Sequence, residues 1–188
     1  MSSDEKYARA FGSASASKDR GNAAFQKGDF DEAIAAFTEA MDELETMRLS
    51  GSAKKMELMA TILSNRASCY VMLFQDAESA EAQSAYAKRC IEDCTVVLTL
   101  VDMPPRPASK SRAEAERAYA TLTRLLMKNR MKRAKAMLVV SGGPESLNER
   151  AAARADCQWV LAHCPDALKH AFVPQAHQLL AACSGVVE

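Results

Sequence analysis

Lys18 and Asn22 stand four residues apart, and so do Lys128 and Lys132. That spacing puts both members of a pair on one helix face, about one turn apart. Ammonium and amide groups placed this way form a donor set, and its natural counterpart is a pair of carboxylates. Asn65 adds a second amide, which donates without adding charge to a cluster that already repels itself. A peptide ending in Asp presents two such carboxylates close together, one terminal and one on the side chain. Each charged hydrogen bond to them contributes about 1.5–3 kcal/mol at best. After ordering costs, micromolar affinity, about −8 kcal/mol, is the expectation. These residues are far apart in the chain, so the chemistry exists only if the fold gathers them.

The elements that would do so are helical. Of 188 residues 35 are Ala, whereas Gly contributes 7, Pro 6 and aromatics 6%. This mixture favours helices and leaves few strand formers, so the expected class is all-α. The chain is long enough for one domain with its own core. A flexible lead-in of small and polar residues is expected over 1–14. A first helix then carries Ala23, Ala24 and Phe25 and ends at Gly28, where a helix C-terminal glycine belongs. A second has Ala33, Ile34, Phe37, Ala40, Met41 and Leu44 on one face. Leu49-Ser50-Gly51-Ser52 breaks it. Further helices run through Met59–Leu73, Cys90–Val101 and Ser111–Val140, the last preceded by the stiff Met103-Pro104-Pro105-Arg106-Pro107 loop. Ser141-Gly142-Gly143-Pro144 separates a sixth through Leu161. After Cys164-Pro165 a last amphipathic segment reaches Cys183, with Pro174 expected to split it or to open its second half.

Gly21, Ala24, Gly28, Ala33, Phe37 and Ala40 lie at offsets 0, 3, 7, 12, 16 and 19. This pattern resembles the tetratricopeptide repeat, in which small residues let paired helices pack closely around one aromatic. Asn65-Arg66-Ala67 with Cys90–Cys94 marks a second repeat, and Lys128–Met137 with Ala153, Cys157 and Pro165 a third. The resemblance covers about residues 14–183. It implies a right-handed α-solenoid of three helix-turn-helix repeats (about 15–53, 56–103 and 110–165), with long insertions, a capping helix at 166–183 and a tail at 184–188. First helices of the repeats would line a concave groove.

Within that family the chain is similar to the carboxylate-clamp modules of co-chaperones, which bind the Glu-Glu-Val-Asp tails of the 70- and 90-kDa heat-shock chaperones. Lys18-Asp19-Arg20-Gly21-Asn22 matches the first element of the clamp, Asn65-Arg66 the second, and Lys128 with Lys132 the third. The implied binding residues are thus Lys18, Asn22, Asn65, Lys128 and Lys132, with Arg20, Arg66 and Arg133 as candidates for the rim. Lys132 stands where the family usually has Arg, and a lysine cannot offer a carboxylate the planar fork of a guanidinium. Repeat spacing also departs from the 34-residue period, by 12 extra residues between Asn22 and Asn65 and 33 between Asn65 and Lys128. Segments 45–57, 76–86 and 101–125 are the places expected to absorb them. A scaffold that holds a complex together without a free-tail groove is the alternative.

Other chemistries fit less well. Equal numbers of basic and acidic residues, 24 each, exclude a generally basic binder. The five basic residues within Lys128–Lys135 lack the stacking aromatics of a nucleic-acid groove, so no nucleic-acid partner is expected. His163, His170 and His177 with Cys157 and Cys164 match no standard zinc spacing. Cys90 and Cys94 read as core rather than as a redox site. No nucleophile elbow, paired carboxylates or phosphate loop is present, so neither enzyme activity nor a cofactor is expected. No apolar run approaches the roughly 18 residues of a membrane span. The charged N-terminal stretch is unlike a signal peptide, and the cysteines read as reduced thiols. The expectation is a cytoplasmic monomer with no membrane contact.

Overall fold

The computed structural model describes residues 3–47, 52–101, 112–141 and 147–184. Among these the chain is all-α, with helices α1 (Ser3–Lys27), α2 (Phe30–Glu45), α3 (Ala53–Asp76), α4 (Ala80–Val101), α5 (Arg112–Val140), α6 (Leu147–His163) and α7 (Lys169–Cys183). A single 3-10 turn, Asp166–Leu168, precedes α7.

The first turn shows how local sequence sets this order. Gly28 has φ +80, a left-handed conformation that costs glycine little. Its N–H bonds the Phe25 carbonyl at 3.0 Å and the next N–H, of Asp29, reaches the Ala24 carbonyl at 3.1 Å. Together these satisfy the last carbonyls of α1. The Asp29 side chain then accepts from the Glu32 N–H at 3.2 Å and caps α2. So short a connection folds α2 back onto α1. Where they cross, Gly21 lies against Phe37, and a Cβ at Gly21 would come within 2.7 Å of the ring. Phe37 is fully buried there with Ala33, Ala40 and Leu44, and burying such a ring contributes about 1.5–3 kcal/mol.

Each helix packs against the next along the chain. Beyond that, the backbones of α1 and α3, of α3 and α5, and of α5 and α7 come close, while among the described residues those of α2 and α4, and of α4 and α6, do not. The helices therefore lie in two layers. The odd-numbered layer is drawn together and the even-numbered layer is not, which puts the odd helices on the inner face of a repeat-like stack. Three linked apolar clusters fill it: one centred on Phe37, Leu44 and Ile62, one on Tyr70, Phe74 and Cys90, and one on Met127, Val160 and Phe172.

Several expectations are corrected. The 1–14 segment is helical from Ser3 onward, because Tyr7, Ala10, Phe11 and Ala14 form an i, i+3, i+4, i+7 stripe that packs on the first cluster. Segment 76–86, expected to take up extra residues by extending the turn inside the second repeat, does so by lengthening a helix: only 77–79 connect α3 to α4, and Ala80–Tyr86 belong to α4. Ser79 caps it, accepting from the Ala82 N–H at 3.1 Å. Pro174 neither splits nor starts the last helix but lies inside α7. Proline suits the helical φ and removes one intrahelical donor, while Phe172 and Ala176 on either side are buried. The breaks expected at 49–51 and 142–144 and the proline loop at 103–107 lie outside the described residues.

Candidate functional site

The inner face carries the five residues singled out from the sequence. Asn22 projects from α1 and Asn65 from α3, and the Asn65 side-chain amide donates to the Asn22 side-chain oxygen Oδ1 at 2.9 Å. One residue before Asn65, Ser64 is buried and receives the Lys132 ammonium, which donates to its carbonyl at 2.6 Å and to its hydroxyl at 3.1 Å. Asn22–Asn65 and Ser64–Lys132 thus form two adjacent contacts along one seam across α1, α3 and α5. Lys18, one turn before Asn22, pairs with its neighbour Asp19 at 2.9 Å. Lys128, one turn before Lys132, is exposed.

Lys132 serves the seam at a cost. Burial is the main influence pushing its ammonium below the ordinary lysine range, and the charge of Lys128 adds to it. Ser64 supplies compensating acceptors. Its hydroxyl also accepts from the Asn129 amide at 3.0 Å, and that amide reaches the Leu125 carbonyl at 2.8 Å. The side-chain oxygen of Asn129 is buried without a partner. Sequence reasoning missed Ser64 and Asn129. Only the packing of α3 on α5 brings them together, and neither type stands out by spacing.

The three rim candidates have another role. Arg66 grips buried Asp93 of α4 with two hydrogen bonds, Nε to Oδ2 at 2.9 Å and Nη2 to Oδ1 at 2.8 Å. Arg133 grips buried Asp156 of α6 in the same way at 2.7 and 2.8 Å, and Arg130 adds a third bond at 2.8 Å. Arg20 pairs with Glu39 of α2 and, at 3.5 Å, with Glu32. These carboxylates raise Arg66 and Arg133 above the usual guanidinium range, chiefly through the side-chain hydrogen bonds. Each arginine precedes a buried small residue, as Arg20-Gly21, Arg66-Ala67 and Arg133-Ala134, and each acid does likewise, as Glu39-Ala40, Asp93-Cys94 and Asp156-Cys157. Three helix pairs are therefore tied on one plan, where their backbones come close. The arginines clamp helix to helix.

Beside the seam opens a cavity of about 450 Å³. Lys128, Lys132 and Lys135 of α5 line one side, Ala171, Phe172, Gln175 and Leu179 of α7 the other, with Ser68 and Val71 of α3 between them. Among the described residues no carboxylate lines it. Arranged so, the inner face can hold a negatively charged group and shelter an apolar one next to it.

The histidine and cysteine patterns do no comparable work. His163 stacks on Trp159 with ring centroids 4.4 Å apart, and the Arg130 guanidinium lies 4.3 Å from the Trp159 ring. Among the described residues no group of three His, Cys, Asp or Glu side chains could hold a metal ion. Burial pushes the Cys69 and Cys157 thiols up to about 12. Among the described residues no helix is long and apolar enough to cross a membrane. Comparison with known proteins finds no matching family model, no matching curated protein and no matching solved structure.

Proposed function

We propose that the chain is a peptide-binding adaptor whose inner face captures the C-terminal carboxylates of a partner. The observation that carries this reading is a chain of contacts across three successive odd helices, Asn22 to Asn65 and, one residue before Asn65, Ser64 to Lys132, with Lys128 exposed one turn away. Amide and ammonium donors beside a recess that no carboxylate of the described residues lines match the chemistry of C-terminal capture. The stack of helix pairs, each tied by an arginine and an acid, supports reading the fold as a right-handed α-solenoid of three tetratricopeptide-type repeats capped by α7. On that reading the partner is the Glu-Glu-Val-Asp tail of a 70- or 90-kDa heat-shock chaperone, and the protein is a co-chaperone without enzymatic activity.

Fluorescence anisotropy with a labelled peptide ending Glu-Glu-Val-Asp tests it. Micromolar binding that disappears when the C-terminus is amidated supports the proposal. Equal affinity for the acid and the amide, or no binding by either, overturns it. One observation favours a second reading, a scaffold that joins other proteins without a free-tail site. The Lys132 ammonium already has two acceptors on Ser64, so a ligand must share that ammonium with Ser64 or displace it.

A further inference from the structure

The cavity between α3, α5 and α7 is larger than the capture of a terminal Asp requires. At about 450 Å³ it falls within the range of small-ligand sites, about 300–1,000 Å³. Lys128, Lys132 and Lys135, at offsets 0, 4 and 7, form one cationic stripe along α5. Phe172, Gln175 and Leu179, at offsets 0, 3 and 7, form the facing stripe on α7. The arginines of the same α5 segment, Arg130 and Arg133, are committed to Asp156. Among the described residues Lys128 and Lys135 have no anionic partner. Lys135 is partly buried, and that burial holds its ammonium below the ordinary range. An unpaired, half-desolvated ammonium beside an apolar wall is complementary to a carboxylate carried next to a bulky apolar group.

We infer that this cavity is a specificity subsite for a peptide residue with a large apolar side chain beside an acidic one. The apolar side chain lies against Phe172, Leu179 and Val71, and the carboxylate lies on Lys135. The inference rests on the reading of the inner face as a peptide site and extends it. A side chain larger than valine covers more of the apolar wall formed by Phe172, Leu179 and Val71, so the preferred ligand carries Leu, Met or Phe where the tail Glu-Glu-Val-Asp carries Val. Lys135 is a specificity residue in addition to the five residues of the seam and its neighbouring lysines.

The test uses labelled Glu-Glu-Val-Asp and Glu-Glu-Phe-Asp peptides, each as acid and amide, with the full chain and its Lys135→Glu and Leu179→Ala variants. Circular dichroism melts confirm that the variants fold. The phenylalanine peptide is expected to bind about fivefold tighter than the valine peptide, a gain of about 1 kcal/mol. Leu179→Ala should erase that preference, and Lys135→Glu should weaken the phenylalanine peptide about tenfold. If the valine acid binds, its amide does not, and phenylalanine brings no gain, the subsite is overturned while carboxylate capture stands. If only peptides containing phenylalanine bind, acid and amide alike, and Lys135→Glu removes binding, the subsite stands and capture of the terminal carboxylate falls. Binding by no peptide overturns both.

Discussion

Asp156 of α6 accepts three hydrogen bonds from two arginines of α5, and the tightest is the 2.7 Å bond from Arg133 Nε. The carboxylate is almost wholly buried, with its side chain 2% exposed. Its removal would leave two guanidiniums facing a cavity with no counter-charge. Asp156→Ala is therefore expected to destabilise the fold by about 3–5 kcal/mol in urea unfolding. The exposed Arg20–Glu39 pair is the control. Glu39→Gln should leave the unfolding midpoint unchanged within error, because water screens that pair. Equal effects of the two changes would refute the distinction.

Gly21 and Gly12 both lie in α1, yet alanine should act on them in opposite directions. At Gly21 the added methyl would meet the buried Phe37 ring at 2.7 Å, and overpacking of this kind costs about 1–3 kcal/mol. At Gly12 nothing lies within 4 Å, so Gly12→Ala gains helix propensity of about 0.5–1 kcal/mol. Thermal melts of the two variants should move to either side of the parent.

Burial depresses the Lys132 ammonium, and the sign of the consequence follows. Between its folded value and the unfolded value near 10.4, the unfolded chain holds a proton that the folded chain does not. Stability from this group therefore rises with pH across that window. A bound carboxylate restores the proton, so peptide affinity should fall across the same window. Lys132→Gln should flatten both slopes, measured as wild type minus variant. Unchanged slopes would show that another group titrates.

Removing donors from the inner face should weaken the acid peptide without unfolding the domain. Lys18→Ala and Lys128→Ala are each expected to lower affinity several-fold, because Lys128 is exposed and, among the described residues, Lys18 forms an ion pair with its chain neighbour Asp19 alone. Asn65→Ala should cost binding and also loosen α1 from α3, since it removes the bond to Asn22. Titrations in which none of the three changes affinity would place the ligand elsewhere.

The thiols offer a check on packing. Five of the six cysteines are buried and Cys164 is partly so, and Cys69 and Cys157 are pushed up to about 12. Reaction with a disulfide reagent at neutral pH should find at most one fast thiol in the native protein, Cys164, and the other five only on unfolding.

The sequence made local features plain and hid those that depend on distant partners. The apolar face of α2 is the clearest case: Ala33, Phe37, Ala40, Met41 and Leu44 repeat at helical spacing and are all buried. The Gly28 turn was equally legible, because only a few residues form it. Residues 3–14 did not read as a helix, since Ser and Gly dilute a stripe whose value comes from α2 and α3 packing against it. The arginine ties were missed for a related reason. Asp93 lies 27 residues from Arg66 and Asp156 lies 23 from Arg133, and no local pattern joins them. The five candidate residues came from the resemblance to the carboxylate-clamp motif, and spacing alone accounts only for the pairs Lys18/Asn22 and Lys128/Lys132. That Lys132 turns onto Ser64, and that Lys135 joins it at a cavity, follows from how α3, α5 and α7 meet.

The contrast between the two layers bears on cooperativity. Helix pairs that touch only their neighbours tend to unfold from the ends, one unit at a time. Here the seam from Asn22 through Asn65 and Ser64 to Lys132 crosses three units, so a ligand gripping it would join them into one melting unit. Its saturation should then protect amide protons at the far end of α1 and in α5 together, and bring two separate unfolding steps closer to one.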